Sequence, residues 1–273
     1  METVILGGAG AAFPAAKPVT LGTSPAKIIC SVAGADAAQL VSQLQSIDFT
    51  QVDLVEWRVD SLASFDDAII SGVSRVVRRE SAVPLLATFR TTSEGGTGDT
   101  NAYYRVLSTL ISCGVDALDV EYSHPQAKEL LEKAVVNGVA PVLSKHDQYA
   151  TPKVEAIISQ LQEMQRFVAE TVLATRAQLG EDDPSEVGSG VVKYVSFATS
   201  ALDALKLMLA ARHFADTVQQ VPVIALAMGQ AGQVTRVFPV TSGSAATFAG
   251  VQGNFTASGQ LNFEVFKHLD TGL

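Results

Sequence analysis

Cysteine is scarce in this chain of 273 residues: Cys30 and Cys113 are the only two, and they give neither a disulfide framework nor a CxxC metal or redox pair. Cys30, in Ile28-Ile29-Cys30-Ser31-Val32, reads as a small core residue. Aromatic residues are also few, 7% against 47% hydrophobic in all, so the core must be mainly aliphatic, as α/β layers require. Positive charge is in deficit. Nineteen Lys and Arg against 28 Asp and Glu leave a net charge of −9, which argues against a nucleic-acid or anionic-membrane partner. No apolar run reaches the roughly 18 residues needed to span a bilayer, and the N-terminus has no charged segment leading into an apolar one. The four histidines, His124, His146, His213 and His268, show no HxH or HExxH spacing, so no metal site is expected. No GxGxxG turn follows the first strand-like run, and no cofactor is expected. These absences together describe a soluble, cytoplasmic protein without a metal or nucleotide.

What is present is an alternation. Short apolar runs at 27–32, 51–56, 84–89, 117–121, 140–144, 191–196, 222–227 and 244–248 are separated by amphipathic stretches near 36–46, 64–79, 99–113, 125–137, 152–179, 199–213, 231–236 and 258–269. Several of the runs are continuous Val, Ile, Leu and Ala, the pattern of strands buried on both faces and paired in parallel. Eight strand-then-helix units in this length predict an α/β fold, a (β/α)8 TIM barrel in one domain, which typically needs about 250 residues. A doubly wound open sheet is the runner-up. Residues 1–26, rich in Gly, Ala and Pro, are expected as a lead-in or hairpin over the barrel floor, with the barrel spanning 27–273. The acidic stretch 179–190 joins a helix to a strand and so belongs on the face away from the chemistry.

Barrel chemistry sits at the C-terminal strand ends, and there this chain places its polar residues. Strand 2 ends in Glu56-Trp57-Arg58-Val59-Asp60, strand 3 in Phe89-Arg90-Thr91-Thr92-Ser93-Glu94-Gly95-Gly96, strand 4 in Asp119-Val120-Glu121 and strand 5 in Ser144-Lys145-His146-Asp147. Strand 7 leads to Thr235-Arg236 and strand 8 to a glycine-rich loop closing on Gln260. Strand 6 contains Lys193 inside Val191-Val192-Lys193-Tyr194-Val195-Ser196-Phe197. Burial there disfavours the ammonium and should push it toward the neutral amine, a nucleophile able to form an imine with a carbonyl. A lysine whose head simply reaches water past its apolar stem is the structural alternative.

The ordered set Glu56-Trp57-Arg58-x-Asp60, Phe89-Arg90-Thr91-x-x-Glu94-Gly95-Gly96, Asp119-Val120-Glu121, Ser144-x-His146-Asp147, Val192-Lys193, Met228-Gly229 with Arg236, and Ala257-x-Gly259-Gln260 resembles type I 3-dehydroquinate dehydratase. The resemblance runs from residue 56 to residue 260. It implies a (β/α)8 barrel that removes water from 3-dehydroquinate in the shikimate pathway, working as a homodimer. Lys193 would form an imine with the C3 ketone, which acidifies the C2 proton. His146 would act as general acid and base, and Glu94 would orient it. Glu56, Arg58 and Arg90 would hold substrate hydroxyls, Glu56 also pairing an arginine. Arg236 would clamp the carboxylate with its guanidinium fork, and Thr256 and Gln260 would complete the hold. Asp119 and Glu121 would tune the inner network, and Trp57 would pack.

Some positions depart from the family pattern. Thr256 stands for a usual serine, Ser258 for a proline, and Lys145 for a residue often aromatic; a second lysine near the mouth could depress the pKa of Lys193. Two other functions fit parts of the sequence. The glycines near Gly243 and Gly250–Gly253 suit a class I aldolase of a phosphorylated sugar, against which Arg236 and Glu56-x-Arg58 argue. A barrel that merely binds a polyhydroxylated acid would lack any trappable imine.

Overall fold

In the computed structural model, which describes residues 2–7, 17–180 and 190–266, parallel strands curl around an axis with helices outside them. The strands are β3 (Lys27–Ala33), β4 (Leu54–Arg58), β5 (Leu85–Thr88), β6 (Ala117–Glu121), β7 (Ala140–Asp147), β8 (Val191–Phe197), β9 (Val223–Met228) and β10 (Ala246–Gly250). They follow a short hairpin of β1 (Val4–Leu6) and β2 (Val19–Leu21). Sheet neighbours run in sequence order from β3 to β9, and β10 pairs back onto β3. This is the (β/α)8 barrel that the eight sequence repeats predict.

The helices are α1 (Ala37–Leu44), α2 (Asp67–Glu80), α3 (Tyr103–Ser112), α4 (Ala127–Val136), α5 (Val154–Leu179), α6 (Ala201–Thr217), α7 (Gln233–Val237) and α8 (Phe263–Phe266). Local sequence sets their ends. Ser200 and Asp203 form a reciprocal capping box at the start of α6, and Gly180 at φ 73° terminates α5 in the left-handed region.

The barrel closes by an uneven seam. The residue leading into β10 meets β9 through Ala245 N–H to the Val223 carbonyl at 2.7 Å. Other edge N–H groups of β9 are taken by side chains, Ala225 donating to Ser244 Oγ and Ala227 to Thr235 Oγ1. Ser244 is therefore a bridge and not the strand start expected at 244; β10 begins two residues later and runs to Gly250. The last helix also starts later than 258. Gly259 has φ 76°, Gln260 turns its amide back to the Ala249 carbonyl, and β11 (Leu261–Asn262) precedes α8. Residues 267–269 of that expected helix, and 181–189 of the acidic stretch, lie outside the described residues.

Strand alternation sorts the side chains into two cores. Cys30, Val55, Trp57, Ala87, Leu118, Val120, Leu143, Val192 and Tyr194 point out against the helices. Ile29, Leu54, Leu86, Ala117, Val142, Val191, Ile224 and Ala246 point in near the strand starts, where Val4, Leu6, Val19 and Leu21 of the hairpin pack on them. The hairpin thus fills the N-terminal end of the barrel with apolar side chains.

Leu21 is 1% exposed in that inner cluster. Leu21→Ala should lower the unfolding free energy by about 2–4 kcal/mol, the usual cost of a truncated core leucine. Denaturant titration measures this; an unchanged midpoint would show the hairpin to be a passive cover.

Candidate active site

The same alternation that buries the leucines delivers polar groups one layer higher. Above Ile29, Leu54, Leu86, Ala117, Val142 and Val191, each inward position two residues on is polar or charged: Ser31, Glu56, Thr88, Asp119, Ser144 and Lys193. One more step reaches Arg58, Arg90, Glu121 and His146. Period two in a strand therefore stacks an apolar floor, a polar layer and a charged mouth in one channel.

Lys193 is 5% exposed and is not alone. Its Nζ donates to Asp119 Oδ2 at 2.9 Å, lies 3.6 Å from Glu56 Oε1, and sits 4.4 Å from the Phe248 ring centroid. The strand sequence shows this lysine among apolar neighbours; the fold adds two carboxylates and an aromatic face beside its amine. Glu56 is also placed differently from expectation. Its ion-pair partner is Lys193 and not an arginine, and it accepts hydrogen bonds from Ser31 (2.6 Å) and Thr88 (2.8 Å). Lys145 does not face this site. It points outward and donates to Gln160 of α5 at 2.5 Å, away from the mouth where the sequence had placed it.

Arg90 is the centre of the charge network. Its guanidinium contacts Glu94 (3.2 Å), Asp119 (2.6 Å) and Glu121 (3.0 Å), and also donates to Ser144 Oγ. Although burial pushes Asp119 up, the Arg90 and Lys193 charges outweigh it and hold the carboxyl well below the ordinary range. Both terminal nitrogens of Arg90 are thus taken by side chains of the site, while the residue still borders the cavity.

His146 Nδ1 lies 2.8 Å from Glu94 Oε2, while Ser123 donates to Glu94 Oε1. Burial pushes Glu94 up to about 7, Arg90 pulling against it and Glu121 pushing with it. Burial, aided by the Arg90 and Lys193 charges, moves His146 well below its usual value. A neutral imidazole with Nδ1–H held by the Glu94 carboxylate leaves Nε2 as a free base.

On the opposite wall Arg236 is 2% exposed and makes no ion pair among the described residues. One Nη donates to the Phe248 carbonyl at 3.3 Å and Nε has no partner. Burial lowers its pKa to about 10, only partly opposed by Glu56. Arg58 binds Asp60 through two nitrogens and donates to the Thr256 carbonyl at 3.1 Å. Gln260 accepts from Thr256 N–H and Oγ1 and donates to Ser31 Oγ and the Ala249 carbonyl. Its amide, expected on a ligand, is spent here on tying down the loop above β10.

Lys193, His146, Glu94, Glu56, Arg58, Arg90, Arg236, Thr256 and Gln260 all line one cavity of about 270 Å³. Sequence reasoning missed Ser31, Thr88 and Gln148 in its wall; strand alternation could have found the first two, since each shares a face with a residue that was chosen. Among the described residues no group of His, Cys, Asp and Glu could hold a metal ion, and no helix is long and apolar enough to cross a membrane.

Glu94→Gln mimics the protonated carboxyl. Between the ordinary value of 4.5 and about 7 the folded protein binds a proton at Glu94 that the unfolded chain does not, so this group's contribution to stability falls as pH rises through that window. The variant should therefore gain on the parent as pH rises from 4.5 to 7, by at most about 3 kcal/mol. Paired denaturant titrations across this range test it, and a pH-independent difference would refute it.

The fold and geometry meet independent likenesses. The model of type I 3-dehydroquinase matches residues 28–184 and 182–269. The 3-dehydroquinate dehydratase of Enterococcus faecalis is 30% identical over 260 residues, covering 92% of this chain and 94% of the relative. One from Escherichia coli is 30% identical over 253 residues, covering 90% and 92%. Among solved structures, the Geobacillus kaustophilus enzyme superposes with a TM-score of 0.78 at 23% identity, covering 92% of each chain. The Enterococcus faecalis structure gives 0.73 at 25%, covering 91% of this chain and 94% of that one. With a barrel of the same shape and a matching model over nearly its whole length, this chain belongs to the type I 3-dehydroquinase family.

Proposed function

We propose that this protein is a hydro-lyase that converts 3-dehydroquinate to 3-dehydroshikimate and water through an imine on Lys193. The observation that carries the reading is one cavity holding a buried amine, a histidine–carboxylate pair and an unpaired guanidinium. The substrate offers each its counterpart: a ketone, an acidic C2–H beside a C1 hydroxyl, and a carboxylate.

The proposed steps use the groups that line the cavity. Lys193 gives up a proton to the neutral imidazole of His146, and Nζ attacks C3 to form a carbinolamine. Loss of water leaves a protonated imine, whose positive charge stands where the ammonium stood, beside Asp119 and Glu56. The imine draws electrons from C2, and His146 Nε2 takes the C2 proton, its new charge supported by Glu94 at Nδ1. The resulting enamine expels the C1 hydroxyl, which leaves as water with that proton. Hydrolysis of the conjugated imine releases product and restores the amine. Arg236 holds the carboxylate, and an anion there replaces the missing partner of a buried cation.

The segment above the cavity serves as its lid. Ser258 O accepts from Gly229 N–H at 3.2 Å, Thr256 O accepts from Arg58, and Gln260 anchors the end. A Cβ on Gly259 would lie 2.2 Å from the Gly229 carbonyl oxygen, so only glycine permits this closure. A closed lid excludes water and protects the imine from early hydrolysis.

An assay that follows the conjugated enone absorbance of the product tests the activity directly. Borohydride added with 3-dehydroquinate should inactivate the protein and leave one adduct on Lys193 by peptide mass spectrometry. His146→Ala should still be trapped while losing turnover by a factor on the order of 10². An adduct elsewhere, with Lys193 unmodified, overturns the mechanism.

Arg236→Lys keeps a cation but not the planar fork. It should raise KM strongly with a smaller change in kcat, since an ammonium cannot make the bidentate carboxylate contact. Equal KM values would remove Arg236 from substrate binding.

A further inference from the structure

We infer that Gln148, two residues beyond His146, is a positioning residue that fixes the backbone of Glu94 and through it the imidazole of His146. Gln148 lies past the end of β7, where the strand pattern has stopped and nothing in the mechanism above employs it. Its Nε2 donates to the Glu94 carbonyl oxygen at 2.6 Å. That carbonyl ends the single 3-10 turn Thr92–Glu94, which is too short to bond it internally. Glu94 is therefore gripped twice from one strand end: by His146 on its side chain at 2.8 Å and by Gln148 on its main chain.

The next residue shows that the arrangement is built for this amide. Gly95 has φ 82°, and a Cβ there would lie 2.3 Å from Oε1, 2.6 Å from Cδ and 2.8 Å from Nε2 of Gln148. Contact with all three atoms means that the amide lies flat over the glycine. A side chain at 95 would expel it, and Gly95 itself lines the cavity beside Glu94 and His146.

The consequence concerns the proton carrier. Nδ1 of His146 must stay on one Glu94 oxygen for Nε2 to act as a base, and a turn of one 3-10 loop cannot by itself hold a carboxyl to that tolerance. The charged and polar groups facing Glu94 are Arg90, Glu121 and Asp119 from below, His146 from β7, and the Ser123 hydroxyl after β6. Loss of the Gln148 grip loosens the turn and admits water to the carboxyl. Its raised pKa then relaxes toward the ordinary value, and the acid limb of turnover, where Glu94 gains a proton, moves to lower pH. The kinetic part of this inference rests on the dehydratase reading; the geometric part does not.

The test compares the parent with Gln148→Met, which keeps the volume but loses the donor, with Gly95→Ala, which displaces the amide, and with the double variant. In unliganded protein, the Nδ1-bound proton of His146, assigned in nitrogen-15 NMR by its loss in His146→Ala, should broaden or shift upfield in both single variants. On 3-dehydroquinate, Gln148→Met should lower kcat roughly tenfold with KM within about twofold, and shift the acid limb down by about one pH unit, as a displaced general base does. Borohydride trapping at Lys193 should match the parent. The double variant should be no worse than the poorer single one, because both remove one contact. An unchanged Nδ1 proton and acid limb in Gln148→Met, or losses that multiply in the double variant, overturn the positioning role. Failure of the parent to dehydrate 3-dehydroquinate would instead overturn the dehydratase reading, and the NMR comparison would still decide the role of Gln148.

Discussion

The buried guanidinium of Arg90 is the interaction on which the site depends. Three carboxylates converge on it, Glu94 from the turn after β5 and Asp119 and Glu121 from β6, and each has a second duty: Asp119 contacts Lys193, Glu94 contacts His146, and Glu121 accepts from Thr91. Without a cation at their centre these acids would repel one another in a medium that screens poorly. Arginine suits the place, since its planar fork presents donors in several directions at once and keeps its charge under any local field. Arg90 thereby couples the amine and the proton carrier without touching either.

Arg236 is the counterpoint. Where Arg90 is saturated, Arg236 is buried with a nitrogen unmatched, and burial has drawn its pKa down to about 10. The unliganded protein carries that cost as latent attraction for an anion. Rigid helices and strands hold the unfavourable charge in place, in keeping with the general tension between stability and function at binding sites. The cavity is therefore polarised. One wall is internally neutralised around Arg90, and the other carries a buried cation with no carboxylate bonded to it among the described residues.

Much of this was legible in the sequence because a strand has period two. Once 27–32 and its successors are read as parallel strands, the inward positions follow, and Glu56, Arg58, Arg90, His146 and Lys193 fall on that face. Pairing was not legible. Spacing places Lys193 inward but does not say that Asp119, a residue read as a tuner and two strands away on β6, bonds its amine. Glu56 was expected beside an arginine for the same reason, since a strand pattern carries no information on the angle around the axis. Ser244 escaped because a serine that accepts from a neighbouring strand looks like any polar residue at a strand start. Gln148 escaped because it lies beyond the last alternating residue, where no periodicity assigns a direction.

The hairpin of β1 and β2 has a further effect on traffic. Its leucines and valines seal the end of the barrel opposite the charged mouth, so the channel is a blind well and not a pipe. Whatever enters past the Thr256–Gln260 segment must back out past it. Among the described residues the cavity opens at that segment, so under the proposed dehydratase reading substrate and product share one doorway. The order in which they pass is then imposed by the architecture as much as by their affinities, and the pace of that single doorway sets a ceiling that no improvement in the chemistry below it can raise.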